Sequence, residues 1–364
     1  IKQKLRQQQL QQRLQEAAMM RQRLAQMEVP QKPRQEMLAQ VRSPPNIPNI
    51  DLNARTNDGF TAFMVACGLG HKDVVKLLLD YSDHDIELNA RSNSGGTAFM
   101  FACGEGQTDV VKWLLDQPER IELTARSNYG LTAMMNACQN GQTDVVKLLL
   151  EHSDVSEMNA TNNSGSTAFM IACQNGHKDV VQLLLNHSER IDLKARNNLG
   201  VTALMIACQN GHKDVVKLLL EHSERIELNA RDNFGWTAFM EACQNGHQDV
   251  VQMLLNHSEK IELNARKNLR VTALMIACQN GHKDVVKLLL DHSDRIELNA
   301  RNSGGWTPFM YACVFGHKDV VQLFLDHSNR IELNAKDNRG WTALIFAMNA
   351  CQKSVLVLSV FKLL

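Results

Sequence analysis

The sequence has no net charge, no long hydrophobic run and no glycine-rich phosphate loop, and each absence excludes a class of function. Lysine and arginine number 39, as do aspartate and glutamate, so the chain as a whole has no charge excess that would favour direct binding of nucleic acid or acidic membranes. The longest apolar stretch, residues 355–364, is interrupted by Ser359 and Lys362 and is too short for a membrane span. The missing phosphate loop removes the simplest mode of nucleotide binding. We predict neither a small-molecule substrate nor a cofactor.

The sequence does contain an internal repeat. Nine similar phrases each hold a threonine at the same place, and the step between threonines is 36 residues once and 35 thereafter. The threonines are Thr61, Thr97, Thr132, Thr167, Thr202, Thr237, Thr272, Thr307 and Thr342. Residues 230–264 form one complete phrase, ARDNFGWTAFMEACQNGHQDVVQMLLNHSEKIELN. A repeat of this length indicates stacked units rather than separate domains.

Each phrase predicts two short helices and a projecting turn. In the phrase quoted above, Thr237 is predicted to cap the first helix, Gly246 to end it, and Asp249 to lie in the first turn of the second helix. Residues 233–236 have the composition of a turn. One unit cannot bury its apolar face alone. We therefore predict an all-α solenoid of nine helix-turn-helix units with projecting β-turn fingers over residues 50–364, with a degenerate last unit.

The repeated phrase resembles the ankyrin repeat. Gly-x-Thr-Ala/Pro-Leu/Phe, Ala-Cys, Gly-His, Val-Val, Leu-Leu and Asn-Ala occupy that family's positions from about Ile50 to Leu364. The resemblance implies a protein that is not an enzyme and acts as a scaffold for protein–protein interaction. We expect it to bind partners of unknown identity through the fingers and the concave face of the array.

Three features depart from the family pattern. The repeat is 35 residues long rather than about 33, because the loop after the second helix is longer. Methionine takes the place of the family's histidine in the first helix, which leaves open the capping hydrogen bond to the threonine. Arg270 stands where most other repeats have a turn glycine, a strained choice if the residue there needs a positive φ.

The cysteines and histidines follow the repeat. Eight of the nine cysteines occur in one register: Cys67, Cys103, Cys138, Cys173, Cys208, Cys243, Cys278 and Cys313. Stacked helices lie roughly 8–10 Å apart, beyond the Cα separation of about 7 Å that a disulfide tolerates. We therefore predict buried free thiols and an intracellular protein of the cytoplasm or nucleus. Because the thirteen histidines also recur, whereas an active site is normally one unique constellation, we predict neither a catalytic nor a metal site.

Partner recognition is expected at positions that differ between repeats. The third and the first residue before each threonine vary most, and residues two apart on an extended segment face the same side. The pairs predict an apolar stripe that binds a protein: Tyr129, Leu131, Leu199, Val201, Phe234, Trp236, Leu269, Val271, Trp306 and Trp341. The alternative is that each finger packs on its neighbour and hides most of the stripe.

The amino-terminal segment has a different composition. Residues 1–43 contain nine basic and three acidic side chains. Residues 1–28 are predicted to form an amphipathic basic helix, suited to a partner or a coiled coil, because apolar residues from Leu10 to Met27 recur at helical spacing. Residues 29–49 are predicted to be a proline-containing linker.

Residues 1–27 also resemble the last helix of the second transcriptional-adaptor zinc-binding domain in the CREB-binding-protein family of histone acetyltransferase coactivators. The matching residues are Ile1-Lys2-x-Lys4-Leu5-Arg6-Gln7-Gln8-Gln9 and Gln11-x-Arg13-Leu14-Gln15. The zinc ligands and the acetyltransferase of that family would precede Ile1, so neither is implied for this chain. The alternative function is that of a carboxy-terminal fragment of such a nuclear transcription coactivator.

Overall fold

The computed structural model describes residues 51–80 and 86–351, in which helices follow one another in pairs. The first eight pairs are α1 Ala62–Gly68 and α2 Lys72–Asp80, α3 Ala98–Gly104 and α4 Thr108–Leu115, α5 Ala133–Asn140 and α6 Thr143–His152, α8 Ala168–Asn175 and α9 Lys178–Asn186, α10 Ala203–Asn210 and α11 Lys213–Glu221, α12 Ala238–Asn245 and α13 Gln248–Asn256, α14 Ala273–Asn280 and α15 Lys283–Asp291, and α16 Pro308–Val314 and α17 Lys318–Asp326. A short helix, α7 Val155–Met158, follows the third pair, and α18 Ala343–Cys351 opens the ninth unit.

The helices stack in two layers. Each first helix contacts the first helix of the next unit, and each second helix contacts the next second helix. Within residues 51–80 and 86–351, β pairing is confined to two isolated bridges, between Thr161 and Thr167 and between Lys267 and Val271. The predicted all-α solenoid is confirmed. The predicted helix 1–28 and linker 29–49 lie outside the described residues.

The core is one continuous apolar layer between the two rows of helices. In α12, Phe239, Met240 and Cys243 are at most 2% exposed, and in α13 Val251 and Leu254 are fully buried. The equivalent residues of the first helix are buried in units 1 to 8, whereas Leu344, Ile345 and Met348 of the ninth unit are exposed. Because each unit buries its apolar face only against its neighbours, the stability of the array comes from the contacts between successive units.

The caps of the first helix form as predicted. Thr237 Oγ1 accepts a hydrogen bond from the amide of Met240 at 3.3 Å, and Gly246 ends the helix in the left-handed conformation with a φ of 73°. Asp249 lies in the first turn of α13. The capping bond left open by the methionine substitution is present, because its donor is a backbone N–H that does not depend on the side chain of that residue.

The lengthened loops are tied together across neighbouring units by asparagine and arginine. Asn229 donates from its side chain to the carbonyl of Lys260 at 2.8 Å and accepts from the amide of Glu262 at 2.8 Å. Arg231 forms an ion pair with Glu262 at 3.0 Å and donates to the carbonyl of Arg266 at 2.9 Å. These exposed ion pairs contribute little stability individually, but the hydrogen bonds to backbone satisfy the polar groups of the longer loop.

Candidate protein-binding surface

Nine projecting turns line one edge of the array, each ending just before the capping threonine. We call these turns fingers 1 to 9 and give each five residues: 56–60, 92–96, 127–131, 162–166, 197–201, 232–236, 267–271, 302–306 and 337–341. The third residue of a finger is its tip and the fifth is its base. The tips and bases are the two columns in which the predicted stripe lies.

The first residue of a finger sets its shape. In finger 5, Asn197 Oδ1 accepts hydrogen bonds from the amides of Leu199 at 2.9 Å and Val201 at 3.0 Å. A side-chain oxygen at the first position accepts from the amide of the base in all fingers except finger 7. This Asx or Ser/Thr turn holds the tip outward.

The fourth residue is glycine in every finger except finger 7, and finger 5 shows two reasons. Gly200 has a φ of 76°, a conformation that glycine adopts without a steric penalty. A Cβ on Gly200 would also lie 2.6 Å from Oδ1 of Asn233 in finger 6. Asn233 in turn donates from its backbone amide to the carbonyl of Leu199 at 3.0 Å. Neighbouring fingers are therefore in direct contact through their backbones.

Finger 7 has a different conformation. Its first residue, Lys267, has no side-chain acceptor, and its tip and fourth residue, Leu269 and Arg270, have φ values of 63° and 60°. Two successive residues other than glycine in the left-handed region cost roughly 1–2 kcal/mol each. The strain predicted for Arg270 is present, and it extends to Leu269, for which no strain was predicted.

The tips and the bases differ in exposure. Three predicted tips are exposed, Tyr129 at 45%, Leu199 at 39% and Leu269 at 73%, and Phe234 is partly exposed. Leu131, Trp236, Trp306 and Trp341 at the bases are partly buried against the core. Val201 and Val271 are only 8% exposed. The expectation that both members of a pair face outward is therefore wrong for Leu199 with Val201 and for Leu269 with Val271, because the base turns inward onto the first helix.

The aromatic bases of the last fingers pack on neighbouring rings. The Trp306 ring lies 5.5 Å from that of Tyr311 and 4.6 Å from that of Phe346, centroid to centroid. Trp341 lies 5.2 Å from Phe346. These contacts are of the kind that stabilises aromatic pairs, so Trp306 and Trp341 have a packing role in addition to any role in binding.

Finger 6 and the helix that follows it contain buried charge that was not predicted from the sequence. Asp232 and Glu241 are each 6% exposed. Lys267 reaches back from finger 7 and places Nζ 4.0 Å from the centroid of the Trp236 ring. Burial lowers the pKa of Lys267, while Glu241 and Asp232 act in the opposite direction. One sequence feature could have identified this buried charge. The first finger position is acidic only at Asp232 and Asp337, and each of these two fingers has tryptophan as its base.

Five histidines of the described residues link neighbouring units, and others contact their own unit. His212 Nε2 donates to the carbonyl of Gln174 in the preceding unit at 2.9 Å, and His222 Nδ1 contacts the carbonyl of Leu218 within its own helix at 2.9 Å. Gln107, which replaces the first of these histidines in unit 2, donates to the carbonyl of Gly68 at 2.9 Å. Because glutamine makes the equivalent hydrogen bond, the histidine at this position has a structural role.

The prediction that the in-register cysteines are buried free thiols is confirmed. All eight in-register thiols are free and buried, and desolvation by burial raises the pKa of each, that of Cys313 to about 12. No group of three or more metal-ligating side chains was found within residues 51–80 and 86–351. In the same part of the chain, no helix has the length and apolarity needed to cross a membrane.

The repeat, its caps and its fingers agree with the comparison against known families. The family model described as ankyrin repeats in three copies matches seven overlapping segments: 37–126, 119–197, 153–232, 189–267, 224–302, 259–337 and 295–360. The chain belongs to the ankyrin repeat family. Ankyrin repeats generally mediate protein–protein interaction and are typically not catalytic. No curated protein matches this ankyrin repeat chain. The matched segments begin at residue 37, so the coactivator resemblance of residues 1–27 stays a prediction.

Proposed function

We propose that this ankyrin array is a non-catalytic scaffold that binds a protein partner along its finger tips and the adjoining concave face. The observation that carries the proposal is the exposure of Tyr129, Leu199 and Leu269 at the tips. Large exposed apolar side chains that lie along one edge are typical of protein-binding surfaces.

The fold does not require apolar tips. Asp58, Ser94, Ser164 and Gly304 occupy the same position in other fingers, and the backbone bonds between fingers form there as well. The amide of Asn128, for example, donates to the carbonyl of Ser94 at 3.0 Å, and the amide of Asn198 to that of Ser164 at 3.0 Å. An apolar tip therefore adds apolar surface for a partner and is not needed for the hydrogen bonds between fingers.

The aromatic bases form a second, partly buried row of the contact surface behind the tips. Trp236, Trp306 and Trp341 are partly buried, so part of each side chain remains accessible. Hot spots of protein interfaces commonly combine an anchored aromatic ring with exposed neighbours that exclude water. In this proposal the partner lies across fingers 3 to 8, contacting the tips first and the edges of the aromatic bases second.

A triple variant of the tips tests the proposal. Tyr129→Ser, Leu199→Ser and Leu269→Asn introduce residues that suit these turns, and asparagine tolerates the positive φ of Leu269. The matched control, Lys147→Ser, Lys217→Ser and Lys287→Ser, changes exposed residues of second helices. Both variants should melt within a few degrees of the unmodified protein, since surface changes alter stability by about 0.5 kcal/mol or less.

The readout is quantitative capture of proteins from a lysate by the three proteins side by side. Partners held by the unmodified chain and by the lysine control should be depleted with the tip variant. Equal capture by all three proteins would contradict a role of the tips.

We also propose an intracellular location, supported by eight free buried thiols that an oxidising compartment would not favour. The domain organisation, with a separate helix 1–28, a linker 29–49 and a repeat domain 50–364, is part of the same proposal. Its alternative, a carboxy-terminal fragment of a coactivator, is tested by one sequencing read across Ile1 that shows whether an acetyltransferase precedes it in the transcript.

A further inference from the structure

Fingers 6 and 9 contain the same pair of residues, an aspartate at the first position and a tryptophan at the base. Asp232 Oδ1 accepts from the amides of Phe234 at 2.8 Å and Trp236 at 2.9 Å. Asp337 Oδ1 accepts from the amides two and four residues further on at 2.8 Å each. Both aspartates are 6% exposed. The turn therefore uses one carboxylate oxygen in each finger and leaves Oδ2 for another partner.

In finger 9 a guanidinium group occupies that place. Arg339, the tip, donates from Nε to Asp337 Oδ2 at 3.2 Å. Its Cζ lies 4.9 Å from the centroid of the Trp341 ring and 5.7 Å from that of Phe346. Burial acts to raise the pKa of Asp337, but the hydrogen bonds from Trp341 and Arg339 outweigh it and lower the pKa. The aspartate and tryptophan of such a finger thus accommodate an arginine.

In finger 6 the tip is Phe234, and no arginine is supplied. Oδ2 of Asp232 is buried and has no hydrogen-bond partner among the described residues. A buried carboxylate oxygen without a partner is unfavourable, because the group has lost water without gaining a donor. Lys267 covers the Trp236 ring but does not donate to Oδ2.

Finger 6 has more buried negative charge beside it than finger 9. The fourth residue after the capping threonine is Glu241 in unit 6 and Phe346 in unit 9, and both are 6% exposed. Asp232 and Glu241, two buried carboxylates, both act on the half-buried ammonium of Lys267. Arginine fits better than lysine, because a planar guanidinium can stack on an indole ring and donate to a carboxylate at the same time.

We propose that Asp232 and Trp236 form a binding site for an arginine side chain of the protein partner. The guanidinium stacks on Trp236 and donates to Asp232 Oδ2, as Arg339 does within finger 9. The Lys267 side chain moves off the ring and regains water. This inference rests on the proposed function and specifies the chemistry of one side chain of the partner.

The test uses the full chain and N-acetyl-arginine methylamide as the probe. Nuclear magnetic resonance of the tryptophan indole N–H groups follows binding, with the Trp236 signal assigned from a Trp236→Phe variant. We expect a saturable shift of the Trp236 signal, and binding at least tenfold weaker for the citrulline analogue, which has the same shape without the charge. No saturable shift, or an equal response to citrulline, would overturn the proposal.

Two variants make the test specific to the carboxylate. Asp232→Asn keeps the turn, since Asn197 and Asn302 hold fingers 5 and 8 through the same Oδ1 contacts, and it should weaken the probe at least tenfold with an unchanged melting temperature. Arg339→Ser, with the residue found at Ser94 and Ser164, should make the Trp341 signal respond to the probe as well. Undiminished binding to Asp232→Asn, or a Trp341 signal that stays insensitive after Arg339→Ser, would contradict the site. Because the probe is a single amino acid derivative, its result does not depend on whether the tip variant loses partners.

Discussion

Lys267 of finger 7 lies over the indole ring of Trp236 in finger 6, with its Nζ 4.0 Å from the ring centroid. The ring is also packed against the core. Finger 6 is therefore covered on one side by finger 7 and supported on the other by the first helices. Residues packed in this way stabilise the array, whereas exposed residues at the finger tips do not.

Trp236→Ala should destabilise the array, whereas Tyr129→Ser should not. Removing a buried tryptophan costs about 3–5 kcal/mol, so a partly buried one should cost about 2 kcal/mol. Tyr129 is 45% exposed, and its replacement should change the free energy of unfolding by about 0.5 kcal/mol or less. Urea unfolding followed by circular dichroism measures both. Equal destabilisation by the two changes would show that the tips pack as the bases do.

Replacing two residues of finger 7 by those of finger 5 should increase the free energy of unfolding of the array. Lys267→Asn restores a side-chain acceptor for the turn and Arg270→Gly removes strain at a φ of 60°. The relief of roughly 1–2 kcal/mol is partly offset by the greater freedom of glycine in the unfolded chain and by loss of the contact with Trp236. We expect a net gain of about 1 kcal/mol in urea unfolding. Arg270→Ala is the control, and a gain as large from alanine would mean that strain at this residue is not the cause.

The parts of the fold that depend on neighbouring residues were predictable from the sequence. Thr237, Gly246 and Asp249 act within one helical turn of their own position, so their types alone predicted the caps. The burial of Val201 could not be predicted in this way, because it depends on how the finger bends onto the first helix. Arg270 was identified because glycine occupies its position elsewhere, but Leu269 was not, since its unusual φ follows from the missing acceptor at Lys267. The different surroundings of Asp232 and Asp337 could not be predicted from the sequence either, because they depend on where Arg339 and Phe234 lie in space.

His212→Gln should preserve stability, and His212→Ala should reduce it. The imidazole donates to the carbonyl of Gln174 at 2.9 Å, and in unit 3 the amide of Gln142 reaches the corresponding carbonyl of Gly104 at 3.2 Å. Glutamine should therefore stay within about 0.5 kcal/mol of the unmodified protein. Alanine should lose about 1 kcal/mol, the usual contribution of one such hydrogen bond. If glutamine were as harmful as alanine in urea unfolding, the ring itself and not its hydrogen bond would be what the array needs.

The eight in-register thiols should resist alkylation over a wide pH range. Burial raises the pKa of each, to about 12 for Cys313, so the reactive thiolate remains scarce as the pH rises from 7 to 9. A Cys351→Ser variant leaves only these eight cysteines. Treated with 5,5′-dithiobis(2-nitrobenzoic acid), the folded variant should release thionitrobenzoate slowly at both pH values. In urea, where the thiols are hydrated and titrate near their ordinary pKa, all eight should react within the mixing period at pH 9. Rapid reaction of the folded variant, at a rate that rises less than tenfold between pH 8 and pH 9, would indicate accessible thiols of ordinary pKa. The cysteine row would then not be part of a closed core.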